Sequence, residues 1–162
     1  MHVNIRKMTD EEFEKFYQWS IGNHVRELME EMHISQEEAF RHTKDEVNEM
    51  LPNGMSTENN YLMTIENNDT KAPVGFVWTL HEKTEGKEQS FLCDFIIFEP
   101  ERRKGYATEA LKVVEKEAAE AGCKESVLFV ADTNYAARDL YKKCGYQFLR
   151  SMDDGSYMIK QL

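Results

Sequence analysis

The stretch Phe91-Leu92-Cys93-Asp94-Phe95-Ile96-Ile97-Phe98 constrains the fold more than any other part of the chain, because Asp94 is its only polar residue. An apolar run of this length between polar segments reads as a strand covered on both faces. The chain then passes through the basic segment Arg102-Arg103-Lys104-Gly105, after which Ala110, Leu111, Val114 and Ala118 define a helical stripe from Ala107 to about Ala121. Gly122 follows as a stop signal in the C′ position. Ser126 to Val130 is a second buried strand. A strand, helix and strand in this order form a right-handed parallel crossover by default, so the sheet that contains them is mixed.

The remaining elements follow from periodicity and punctuation. Val3 to Met8 alternates as an edge strand, and Thr9 or Asp10 caps a helix with Phe13, Phe16, Tyr17, Ile21, Val25 and Leu28 on one face and a break expected near Gly22. Ser35-Gln36-Glu37-Glu38 is a capping-box pattern that opens a second helix, ended by Pro52-Asn53-Gly54. Tyr61 to Ile65 and Val74 to Leu80 read as a hairpin about Asn67-Asn68-Asp69, and a polar turn from Glu82 to Gln89 leads into the apolar run. A short helix from Asn134 to Lys143 ends at Gly145, and a closing hairpin turns about Asp153-Asp154-Gly155. The expected order is βααβββαβαββ, an α/β fold with a mixed central sheet flanked by helices.

At 162 residues the chain fits one domain, taken as residues 1–162, with a single sizeable core. The net charge of −10 disfavours a nucleic-acid partner and fits a cationic one. Residues 1–60 hold 13 Asp or Glu against 6 Lys or Arg, so the acidity is concentrated in the first third. No apolar run is long enough to cross a bilayer and no leader is apparent, so a cytoplasmic location with no membrane partner is expected. Cys93, Cys123 and Cys144 are odd in number and widely spaced, which indicates neither a disulfide framework nor a zinc site. His24, His33 and His42 lack a shared-ligand spacing and read as surface or core residues, so no metal is expected.

The segment Glu99 to Thr108 carries the chemistry. A strand, a basic Gly-containing turn and a helix N-terminus together make an anion site. Gly105 permits φ > 0 and close approach to the backbone, while Arg102, Arg103 and Lys104 supply charge suited to a pyrophosphate. Neither G-x-G-x-x-G nor G-x-x-x-x-G-K-[ST] occurs, which disfavours a Rossmann or nucleotide-hydrolysing reading.

Arg102, Gly105 and Ala107 fit the R-x-x-G-x-A form of the acyl-coenzyme A loop of the GNAT acetyltransferase superfamily, which this segment resembles. The stretch Asn134 to Tyr146 resembles the same family's N-x-x-A-x-x-L-Y-x-x-x-G-[FY] segment through Asn134, Ala137, Leu140, Tyr141, Gly145 and Tyr146. The resemblance implies a GNAT fold and an N-acetyltransferase that moves an acetyl group from acetyl-coenzyme A to a primary amine by direct attack. It places the pantetheine arm along Ile96, Ile97 and Phe98, the pyrophosphate on Arg103, Lys104, Gly105, Tyr106, Ala107 and Thr108, and Asn134 near the thioester. Tyr141 is the implied general acid for the departing thiolate. Asp94, an acid inside an apolar run, is read as base or amine-orienting group, with Glu99 as a weaker candidate. The acceptor is a small-molecule or peptide amine, with a lean toward a cationic one, and exposed edges at the closing hairpin suggest a homodimer. The rival reading is a non-catalytic acyl-coenzyme A sensor or an interaction domain of the same fold.

Overall fold

A computed structural model describes residues 2–162. Seven strands form one sheet in the order β1-β2-β3-β4-β5-β7-β6, where β1 is Val3–Lys7, β2 Asn60–Asn67, β3 Pro73–Thr84, β4 Lys87–Ile97, β5 Glu125–Ala131, β6 Gln147–Met152 and β7 Gly155–Gln161. The helices are α1 (Asp10–Met32), α2 (Gln36–Met50), α3 (Tyr106–Glu120) and α4 (Tyr135–Lys143). All neighbours pair antiparallel except β4 and β5, which run parallel. The expected order and the mixed sheet are both present.

One apolar cluster packs α1 and α2 against β2 and β3 around Phe16, which is 1% exposed and meets Phe76 and Trp78 edge-on at 6.0 and 6.2 Å. A second cluster packs α3 and α4 on the other face through Ala110, Leu111, Leu128, Val130 and Tyr141. The sheet is therefore sandwiched between two helical layers, as the apolar run required. Arg6 joins β1, α1 and β2 by bonding both oxygens of Glu12 at 2.7 and 3.0 Å and Glu66 at 2.8 Å. That pairing pulls the Glu12 carboxyl down to about 2.

Three local expectations are corrected. α1 runs unbroken through Gly22, because Gly22 lies on the exposed face and its cost of about 1 kcal/mol is outweighed by a 23-residue amphipathic helix. The full reciprocal capping box sits at Thr9 and Glu12, whereas Ser35 makes only the bond from Glu38 N. The turn between β3 and β4 is two residues, Glu85 and Gly86, both with positive φ, so both strands extend through the polar stretch expected to be loop. No helix among the described residues is long and apolar enough to cross a membrane.

Candidate active site

β4 and β5 stay paired only from Gln89 with Glu125 to Leu92 with Leu128. On the other side of β4 the register with β3 slips at the same place: Trp78 faces Asp94 while Thr79 faces Leu92, which leaves Cys93 as a bulge. A bulge bends its strand and terminates pairing, so β4 parts from β5 from Cys93 onward. A cleft of about 570 Å³ opens there, walled by Cys93 to Ile96 of β4, Leu128 to Ala131 of β5, α1 and α4. The β4 main-chain groups facing β5 have no strand partner in it.

Past the end of β4, a hollow of about 460 Å³ lies between the 102–108 turn and α4. Arg103 (φ 63°) and Gly105 (φ 86°) both take left-handed backbone, a geometry that curls successive N–H groups toward one anion. The first helical bond of α3 runs from Glu109 N to Gly105 O, so the N–H groups of Tyr106, Ala107 and Thr108 are free of helical partners. Arg102 ties the turn down by donating Nε to Ile97 O at 2.9 Å, and Tyr106 anchors the helix start through a bond from Asn67 Nδ2 at 2.8 Å. Arg103 remains exposed, while Lys104 pairs with Glu101 at 3.0 Å.

Asp94 is 12% exposed at the side chain and faces α1. Ser20 Oγ donates to Asp94 Oδ2 at 3.0 Å, and His24 Nε2 lies 3.9 Å from Oδ1. Burial pushes the Asp94 carboxyl above its ordinary range, with His24 and Ser20 opposing the shift. His24 is itself raised, mainly by Glu27, whose Oε2 lies 3.5 Å from Nδ1. Cys93 lines the same wall, but burial pushes its thiol well above the ordinary value, so it carries no thiolate at neutral pH.

Tyr141 faces β4 across the cleft and is 9% exposed. Its ring meets Tyr146 edge-on at 5.8 Å, and Tyr146 is fixed by hydrogen bonds to Ser126 at 2.7 Å and Glu115 at 3.2 Å. Asn134 positions the whole helix by accepting from Ala137 N at 3.3 Å as its N-cap. The Tyr141 hydroxyl makes no hydrogen bond to another side chain or backbone group among the described residues, and burial raises it to about 12. It is a protonated donor aimed into an open cleft.

Residues 11–146 match the Acetyltransferase (GNAT) family. The chain belongs to that family. The uncharacterized N-acetyltransferase YdgE of Bacillus subtilis is 31% identical over 146 residues, covering 90% of this chain and 92% of its own. The crystal structure of YycN from the same organism superposes with a TM-score of 0.84 at 27% identity, over 93% of this chain and 96% of that one. The spermidine N-acetyltransferase of Vibrio cholerae, solved with CoA and spermine, shares the fold at a TM-score of 0.70 and 18% identity, over 99% of this chain and 95% of that one.

In this GNAT acetyltransferase the residues singled out from sequence fall in two neighbouring hollows. Asp94, Ile96, Asn134 and Tyr141 line the cleft, and Ile97, Arg103, Gly105, Tyr106, Ala107 and Thr108 line the hollow beside it. Phe98 and Lys104 stand apart: the Phe98 N–H donates to Val74 O, its carbonyl accepts from Glu101 N and its ring packs on Phe76, while Lys104 lines neither hollow and pairs with Glu101. Glu99 begins an exposed one-turn helix and lines neither hollow. Sequence reasoning missed Ser20, His24 and Glu27. Their spacing along α1 puts them on one helical stripe, a signal that acquires meaning only once α1 is seen to cross Asp94.

Proposed function

We propose that the acetyltransferase moves the acetyl group of acetyl-coenzyme A directly to a primary amine, with Tyr141 as proton donor to the departing sulfur. The observation that carries this reading is the cleft between β4 and β5, into which a buried phenol with no protein partner opens beside a ready anion turn. Bound acetyl-coenzyme A would supply an activated acyl group and a thiolate leaving group.

The chain's own residues fit such a donor. Arg103, Lys104, Gly105, Tyr106, Ala107 and Thr108 present charge and free N–H groups to a pyrophosphate, and the edge of β4 left unpaired beside Ile96 offers the Ile97 N–H to the amides of an extended arm, the Ile97 carbonyl being held by Arg102. Asn134 shapes the far wall near the thioester by fixing α4. With Phe98 fully engaged elsewhere, its part is to brace the strand end.

The acceptor enters as an ammonium and must give up one proton to become a nucleophile; attack then forms the C–N bond and breaks the C–S bond, a second proton leaving nitrogen as one reaches sulfur. A phenol near 12 is protonated throughout the neutral range. Full transfer to a thiolate near 8.5 would be uphill by about 5 kcal/mol, so Tyr141 acts first as a hydrogen-bond donor to the developing charge and transfers only as a proton returns to it. Asp94, held by Ser20 and adjoining His24, orients the incoming ammonium and receives its proton. The inert thiol of Cys93 favours direct attack over an acyl-cysteine route. The cationic spermine bound by the Vibrio cholerae neighbour supports a positively charged acceptor.

The test is thiol release from acetyl-coenzyme A with a panel of primary amines, run beside calorimetric titration of coenzyme A into wild type and Gly105→Val. Expected are turnover with at least one amine and a loss of donor affinity of about 100-fold or more in the variant, whose β-branched side chain resists φ > 0. Donor binding without turnover on any amine would establish a sensor instead.

A further inference from the structure

The acceptor half of the cleft is acidic along its length. Glu27, Glu30 and Glu31 of α1 line it together with Asp94 and with Asp154 from the β6–β7 turn. Among the described residues only two side chains able to carry positive charge share the lining: His24, which sits between Asp94 and Glu27, and Arg102, which also lines the hollow at the anion turn. Among the described residues Glu30, Glu31 and Asp154 take part in no ion pair. Glu31 and Asp154 belong to elements far apart in sequence, yet they lie close enough that Asp154 pushes the Glu31 carboxyl above its ordinary value. Like charges held together without a counter-ion leave a site for a cation to fill.

A second observation points to a ligand in the same space. Tyr141 is 9% exposed, its hydroxyl has no protein partner among the described residues, and the exposed remainder opens on this cleft. The side chain is buried while its hydroxyl stays open to the cleft, so a molecule lying there passes both the phenol and the carboxylates.

The arrangement also indicates the shape of that molecule. No three His, Cys, Asp or Glu side chains among the described residues converge enough to hold a metal ion. The carboxylates are instead strung along α1, where His24 and Glu31 are separated by about 10 Å of helical rise. An extended organic cation can meet charges distributed this way. A lysine side chain entering the cleft carries a single charge at its tip and would leave the outer carboxylates facing neutral main chain.

We infer that the acceptor is a linear di- or polyamine, one primary amine held at Asp94 for acetylation and a second ammonium group held by Glu30, Glu31 and Asp154. This rests on the acetyltransfer reading above and adds the substrate class. The second ammonium sets register: it fixes how far the chain enters and so which nitrogen reaches the thioester. Longer amines gain further contacts at the mouth, whereas a monoamine of equal length leaves the outer carboxylates unpaired.

The experiment measures kcat/KM for n-hexylamine, 1,6-diaminohexane, spermidine and a lysine-containing tetrapeptide with acetyl-coenzyme A, in wild type and in the double variant Glu31→Gln, Asp154→Asn. For wild type, the diamine and spermidine are expected to exceed hexylamine by about tenfold or more, a preference that added salt reduces. In the double variant that ratio should fall to within about threefold of unity, with most of the change in KM. A second variant, Glu30→Gln, should reduce the ratio partway, which guards against an effect peculiar to one substitution. Equal use of mono- and diamines by wild type, a ratio that survives in the double variant, or a preference for the peptide would each overturn the inference while leaving amine acetylation in place. Absence of thiol release with every amine would instead remove the acetyltransfer reading itself, and this one with it.

Discussion

Ser20 Oγ and Asp94 Oδ2 lie 3.0 Å apart although 74 positions separate them in the chain, and that bond joins α1 to the strand that opens the cleft. A donor to a carboxylate favours its charged form, so Ser20 restrains the rise that burial imposes on Asp94.

Ser20→Ala should therefore raise the Asp94 pKa further and move the acid limb of the kcat/KM profile to higher pH. Asp94→Asn, which mimics the protonated carboxyl, should lower kcat/KM most above the acid limb, where Asp94 is ionised and able to accept a proton, and least below it. Stability runs the opposite way: a carboxyl whose folded pKa lies above its unfolded value contributes most below the unfolded pKa and loses that contribution as pH rises through the folded one. Asp94→Asn mimics the protonated form, so its denaturation midpoint should exceed wild type at pH 7 and converge with it at about pH 3. An acid limb that stays in place in Ser20→Ala would remove Asp94 from the proton inventory.

Tyr141→Phe removes a hydroxyl that has no protein partner, so unfolding free energy should change by less than about 1 kcal/mol. Coenzyme A affinity should hold. The turnover number should drop by about two to three orders of magnitude, the usual loss of one donor at a developing charge, with kcat/KM falling in parallel. Turnover within about threefold of wild type would leave sulfur to be protonated by water.

Gly75 on β3 faces β4 closely: a Cβ there would run into the Ile96 carbonyl oxygen and stand 3.1 Å from Ile97 Cδ1. Gly75→Ala should cost about 1–3 kcal/mol as the strands are forced apart, and should weaken donor binding by displacing the free edge of β4. Gly22→Ala is the contrast. Nothing lies within 4 Å of its new methyl, so it should stabilise the protein by about 0.5–1 kcal/mol. Thermal unfolding with calorimetric titration of coenzyme A separates the two.

The two motif segments and the element order were legible in the sequence because their causes are local. A helix begins where Thr9 can cap it, a helix ends where Gly122 can adopt φ of 98°, and an anion turn needs Gly105 directly before α3. The apolar run from Phe91 to Phe98 likewise dictates an interior strand by its composition alone. Local signals were weaker at the edges of elements. Glu82 to Gln89 looks like loop by polarity, and only pairing with a neighbouring strand makes it sheet.

What the tertiary structure decided is which of these pieces meet. Asp94 stood out as a lone acid, but its partners Ser20 and His24 were set by the way α1 packs on β3 through Phe16, Phe76 and Trp78. The cleft itself depends on Cys93 falling out of register with Trp78 and Thr79, a slip between two strands that neither strand's sequence announces. The opposition of Glu31 and Asp154 arises in the same way, from a helix end and a hairpin turn brought together by the sheet order. Spacing along a chain fixes periodicity and caps. The registry of one element on another comes from the packing of whole faces, and the chemistry of this site is built on that registry.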